Sequence, residues 1–533
     1  MIEPARGTRG MAVAPHGLAA QAALAVLRDG GNAVEAMLCA AATIAVVYPH
    51  MNSIGGDAFW LISVPGQAVR AIDACGAAAG AASIDAYAER GITGSIPFRG
   101  GAAALTVAGT ISGWDLAHQF SMSALQGRLP LARLLADALH YASAGVPVTR
   151  SQHANTGGKL DELLDVPGFA QTFLDAGQVP AIGSLFRQPR MAATLEHLAR
   201  AGLDDFYRGD LGVSIAHELE AAGSPLRRAD LAAHQAQWRT PLELAHSAGT
   251  AYNMTPPTQG LVSLLILGML DRLGAGGMDP LGADFVHAAV ESTKRAFAIR
   301  DRHITDPAHM PMAAQQFLDA GAIDQLAGAI DMDVAAPWGR GKGPADTIWM
   351  GVIDGEGRAV SFIQSIYHEF GSGIVLPSSG INWQNRGCSF SLAPGALNPL
   401  QPGRKPFHTL NPALARLGDG RTMVYGNMGG DGQPQTQSAV FTRTVMQGMS
   451  PQAAISAPRW LLGRTWGRAS ESLKLESRFS PAVIDELRRR GHDVELVGEY
   501  DETVGHAGAI VRYPDGTLEG GADPRSDGCV AAW

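Results

Sequence analysis

The chain has 533 residues, with 41 Lys and Arg against 50 Asp and Glu and a formal net charge of −9. No basic run or stripe stands out, which argues against a nucleic-acid partner. Cys39, Cys75, Cys388 and Cys529 lie far apart with no C-x-x-C pair, which argues against a disulfide framework or a Cys-based zinc site.

The N-terminal residues hold no apolar stretch of signal-peptide length. The most apolar run, Val34–Val47, contains Glu35 and Thr43 and is too short to span a bilayer. A cytoplasmic protein without a membrane partner is the expectation. Leu18–Asp29 predicts a helix stopped by Gly30-Gly31. Asn32, with Glu35 three residues on, predicts the cap of a second helix running to about Val47. The apolar run Ala58–Val64, after Gly55-Gly56, predicts a strand. From about Leu129 to Gly328 the chain reads as mostly helical, for example over Met191–Ala201 and Val262–Leu273.

The texture changes near Ala335. Pro337 to Pro344 is a helix-breaking Gly/Pro segment. Thr347–Ile353, the turn Asp354-Gly355-Glu356-Gly357 and Arg358–Ser365 then predict a hairpin of two apolar strands. Strand-like runs follow at Thr422–Gly426, Asp493–Val497 and Ala507–Tyr513, with helical stretches at Thr436–Gly448 and Pro481–Arg490. The first two thirds read as helix-rich and the last third as strand-rich. The whole predicts an α+β or layered α/β fold.

Sixteen His are present, but no H-E-x-x-H and no paired zinc-ligand spacing, so no metal is expected. His303, Asp306 and His309 read as ordinary loop polar residues. There is no P-loop and no G-x-S-x-G, and Gly429-Gly430-Asp431-Gly432 lacks the context of a dinucleotide fingerprint. No cofactor is expected. Two features remain. Asp346-Thr347 puts a hydroxyl at the start of a strand, after the Gly/Pro segment; taken alone, such a Thr is usually a β-former. Asn427-Met428-Gly429-Gly430-Asp431-Gly432 lies between a strand and a helix, where bare N–H groups can hold an oxyanion. Taken alone, it is as well read as a tight turn.

These pieces occur together and in order in one family. The chain resembles the γ-glutamyltransferase-type N-terminal nucleophile hydrolases over nearly its whole length. The resemblance is carried by Gly30-Gly31-Asn32-Ala33-Val34, Ser53 to Phe59, Asp346-Thr347, Phe370 to Val375, Gly429-Gly430 and Gly520 to Gly528. It implies a four-layer αββα sandwich that cuts itself between Asp346 and Thr347. A large subunit, 1–346, and a small subunit, 347–533, would result, alone or as a pair of heterodimers. It also implies that Thr347 is the nucleophile, its new α-amine the base, and Gly429 and Gly430 the oxyanion donors. Ser365 would orient the Thr347 amine.

The chain departs from the family where γ-glutamyl enzymes grip a free amino acid. Cys75 or a neighbour stands in place of an Arg, Arg386-Gly387-Cys388-Ser389 follows Gln384-Asn385, and His408-Thr409 replaces a Ser pair. Arg386 suits a small carboxylate and would repel an ammonium. Tyr367, Asn385, His408 and Thr409 are the other candidate substrate contacts. The stretches Gln364 to Gly373, Trp383 to Gly387 and Arg404 to Pro412 resemble a branch that contains oxamate amidohydrolases, which release ammonia from oxamate in purine-nitrogen catabolism. The resemblance therefore implies hydrolysis of a small anionic amide, oxamate first. A γ-glutamyl hydrolase or transferase, a cephalosporin acylase-like enzyme and an unprocessed non-enzymatic relative stay open.

Overall fold

The computed structural model describes residues 3–338, 346–463 and 471–533, the Asp346 side chain apart. Two seven-stranded sheets lie face to face. Asp346–Asp354 and Ala359–Tyr367 pair antiparallel at the centre of one sheet. Gly10–Ala14 flanks the first of them and Asp57–Ser63 the second. The other sheet is centred on Ala413–Leu417, Thr422–Asn427 and Ala507–Arg512. Trp349, Ile353 and Ile363 from the first sheet meet Leu414, Val424 and Ile510 from the second in a dry apolar layer. Ala33–Val47 packs outside the first sheet, and Gly260–Arg272 and Gly432–Phe441 outside the second. This is the four-layer αββα sandwich that the resemblance implies.

Local chemistry explains the elements nearest the centre. Asn32 Oδ1 accepts from the N–H groups of Val34 and Glu35, and Glu35 Oε2 accepts from Asn32 N–H, a reciprocal cap. Every residue of Ala33–Val47 is buried, so its predominantly apolar, Ala-rich sequence suits a helix enclosed on all sides. The hairpin 346–367 is apolar on both faces because both faces are covered.

The reading of the middle as mostly helical misses five short strands, of which Val146–Pro147 and Leu185–Phe186 pair with each other. Gln237–Arg239 closes the edge of one sheet, while Leu242–His246 and Gly249–Asn253 close the edge of the other. Both sheets therefore draw strands from both sides of position 346. The helix placed at Thr436–Gly448 begins earlier, at Gly432, and its last turn, Thr442–Met446, is wider than an α-turn. Of the Gly/Pro segment, residues 339–344 lie outside the described residues.

Candidate active site

Thr347 lies at the head of the central strand and is fully buried. The ladder is irregular there. Asp346 faces Tyr367 and Ile348 faces Gln364, so two residues, Ser365 and Ile366, stand opposite Thr347. Ser365 is buried, and its hydroxyl accepts from Tyr367 N–H at 2.8 Å. The early glycine turn makes this crowding possible. A Cβ on Gly56 would come within 2.2 Å of the Ser365 carbonyl oxygen, so only a bare backbone fits.

The loop after Thr422–Asn427 approaches from the facing sheet. Gly429 and Gly430 have φ of 110° and 50°, and their N–H groups donate to no acceptor among the described residues. Gln433, in the first turn of the next helix, points Nε2 at Thr347 Oγ1 at 3.5 Å, and its Oε1 accepts from Asn411 Nδ2 at 3.3 Å. Gln259 Nε2 donates to the Gly430 carbonyl at 2.8 Å and to the Thr409 carbonyl at 3.0 Å. Arg300 Nη1 holds both Gln259 Oε1, at 3.0 Å, and Asp431 Oδ1, at 2.7 Å.

Tyr367 has φ of 84°, rare for a residue with a side chain. Its ring lines a cavity of about 320 Å³ together with Phe98, His368, Cys388 and Thr409. The Arg386 guanidinium lies against the Tyr367 ring, 4.0 Å from its centroid. Arg386 does not line the cavity wall; it is 1% exposed. Nη1 reaches Thr409 Oγ1 at 3.5 Å, while Nε and Nη2 have no partner among the described residues. No carboxylate stands within salt-bridge distance of it among the described residues. Burial lowers the Arg386 pKa to about 10, against the opposing pull of Tyr367 and Asp57.

Asn385 is engaged at both ends: Nδ2 donates to the Phe98 carbonyl at 2.9 Å, and Oδ1 accepts from His368 N–H at 3.1 Å. It braces the rim of the cavity. His408 is fully buried with Nε2 3.3 Å from Asp57 Oδ2. Cys75, where an Arg was looked for, is buried with its thiol on Asp73 Oδ1 at 3.1 Å.

Sequence reasoning passed over Asp57, Gln259, Arg300, Asn411 and Gln433. Asp57 and Asn411 stood inside quoted motifs without a role; the others are unremarkable in one dimension. It also passed over His287, Glu291 and His492, whose ligand atoms all lie within 4.8 Å of one another. Their chemistry fits a hydrogen-bonded cluster. His287 bridges His492 Nε2 and the Asp331 carbonyl, each at 2.8 Å, and the Lys294 ammonium holds Glu291 at 2.6 Å.

Comparison with known proteins follows the same lines. Residues 19–533 match the sequence profile of the family described as Gamma-glutamyltranspeptidase. The chain belongs to that family. It is 59% identical to the oxamate amidohydrolase proenzyme of Klebsiella pneumoniae over 526 residues, covering 99% of each chain. It is 40% identical to the glutathione hydrolase-like YwrD proenzyme of Bacillus subtilis, covering 98% of each. The cephalosporin acylase structure from Bacillus halodurans superimposes with a TM-score of 0.90 at 32% identity, covering 100% of this chain and 97% of that one. The four-layer sandwich is thus the N-terminal nucleophile hydrolase fold of the γ-glutamyltranspeptidase family. No helix among the described residues is long and apolar enough to cross a membrane.

Proposed function

We propose that the protein is a self-processing amidohydrolase that converts oxamate to oxalate and ammonia. The observation that carries the reading is the buried Arg386 guanidinium, two of whose nitrogens have no partner among the described residues. A buried cation without a counter-ion is costly, and a ligand carboxylate would remove that cost. The Klebsiella relative, an oxamate amidohydrolase proenzyme, agrees with it.

In this reading the Asp346–Thr347 bond is cut, giving subunits 1–346 and 347–533. The freed Thr347 amine takes the Oγ proton as Oγ attacks the amide carbon. The N–H groups of Gly429 and Gly430 receive the developing oxyanion. Removing one such donor typically lowers kcat by about 10²–10³. The amine passes that proton to the leaving nitrogen, ammonia departs, and water releases oxalate from the ester. Ser365 and Gln433 steady the amine and Oγ. In this reading Tyr367 and Thr409 line the pocket, and Arg386, Asn385 and His408 stand buried behind its wall. A cytosolic role in purine-nitrogen breakdown, and pairing of heterodimers, belong to the same proposal.

The test offers the processed protein oxamate and a γ-glutamyl amide together. Ammonia and oxalate, with the γ-glutamyl amide intact, are expected. Glutamate release would replace this reading with that of a γ-glutamyl enzyme.

A further inference from the structure

A second group of unpartnered polar atoms feels the Arg386 charge. Asp57 is fully buried at the first residue of Asp57–Ser63. Its Oδ1 accepts from the N–H groups of Gly76, at 3.1 Å, and Gly109, at 3.0 Å. These two bonds fix the carboxylate and turn Oδ2 toward His408 Nε2, 3.3 Å away. His408 is held as firmly. Its N–H donates to the Pro257 carbonyl and its carbonyl accepts from Gln259 N–H, each at 2.9 Å. The Phe59 ring stands edge-on to the imidazole at 5.0 Å. Nδ1, Nε2 and Asp57 Oδ2 are all buried, and none of them makes a hydrogen bond among the described residues; Nε2 faces the carboxylate oxygen without being bonded to it.

The charges follow from the surroundings. Burial, and then the Arg386 charge, keep the His408 pKa well below the ordinary value, so the ring is neutral. Burial raises Asp57 to about 6, while the Gly76 N–H, Arg386 and the Gly109 N–H pull it back. Above pH 7 the carboxylate is mostly ionised. A neutral imidazole has one N–H, and the nitrogen facing a carboxylate carries it. Nε2 is therefore the donor, and Nδ1 presents a lone pair.

We propose that Asp57 and His408 recognise the amide end of the substrate, with Asp57 fixing the tautomer in which His408 Nδ1 accepts from the substrate N–H. Arg386 N–H groups beside a fixed acceptor form a two-point site for a carboxylate next to an N–H. An ester with the same acyl group satisfies the first point and not the second. His408 is then a specificity residue and Asp57 its positioning residue. The inference rests on the oxamate reading.

The test compares oxamate with monomethyl oxalate, which gives the same acyl-enzyme. Asp57→Asn keeps the two backbone contacts through Oδ1 and places an N–H donor opposite His408 Nε2. The imidazole then protonates at Nδ1, and the acceptor is lost. His408→Leu removes both nitrogens and carries the comparison if Asp57→Asn fails to self-process. The amide-to-ester ratio of kcat/KM is expected to fall about tenfold in either variant, the worth of one hydrogen bond. Equal losses on amide and ester would overturn the pair as a recognition device and leave the oxamate reading standing. Failure of the unsubstituted protein to act on oxamate would overturn that reading and this inference with it.

Discussion

Arg300 and Asp431 meet in a 2.7 Å ion pair from which water is fully excluded. Arg300 comes from the helix Ala283–His303, and Asp431 directly follows Gly429-Gly430. Through Gln259 the same guanidinium also steadies the Gly430 carbonyl. Breaking such a pair leaves an uncompensated buried charge, at a cost of about 3–5 kcal/mol. Asp431→Asn should therefore lower the melting temperature. It should also reduce kcat about tenfold, part of the 10²–10³ that one oxyanion donor is worth. Calorimetry and steady-state kinetics on the processed protein check both. An unchanged kcat would separate this ion pair from the glycine loop's function.

Thr347→Ala should leave one chain of 533 residues under denaturing conditions. The unsubstituted protein should give fragments of 346 and 187 residues (533 − 346). Turnover should vanish with cleavage, because both need the same hydroxyl. Intact mass and ammonia release decide it. An active, cleaved Thr347→Ala would remove Thr347 from the mechanism.

The central hairpin was legible because its chemistry is local: two apolar runs around a Gly-containing turn. So was the Gly429-Gly430 loop, a strand followed by bare backbone and a helix. The Asn32 cap was legible for the same reason. Leu242–His246 alternates buried and exposed residues, but five residues inside a helical context give a weak signal. Asp57 and His408 belong to opposite sheets' approaches to the site, and nothing in their own neighbourhoods announces the other. Arg300 lies on the long helix Ala283–His303 that also carries Arg295 and Arg302, and only the fold picks it out. The burial of Arg386 behind Tyr367 was equally invisible, since it depends on the backbone turning at Tyr367.

Arg386→Met should lower kcat/KM for oxamate by roughly 10–100-fold, as expected for a charge-assisted hydrogen bond of about 1.5–3 kcal/mol. Oxamide, which has no carboxylate, should lose much less. The contrast matters because the guanidinium also supports the Tyr367 ring. Loss of that support alone would affect both compounds alike. Equal losses would make Arg386 a prop for Tyr367 and not a carboxylate ligand.

Glu502 gives stability a pH dependence of known sign. Burial, with Asp527 and Asp501 nearby, raises its pKa from 4.5 to about 7. Between these values the folded chain keeps a proton that the unfolded chain has lost, so stability falls as pH rises. The contribution is fully present below about 4.5 and gone above about 7. Glu502→Gln removes the ionisable group and keeps the side chain's size and its carbonyl oxygen. It should raise the melting temperature at pH 8 by about 1–2 °C, the shift that ~1 kcal/mol gives in a chain of this size. At pH 5, where most of the folded protein already carries the proton, the change should be smaller. Melting curves of both proteins at the two pH values check it. A larger gain at pH 5 than at pH 8 would show that Glu502 is ionised throughout and that its two acidic neighbours do not govern it.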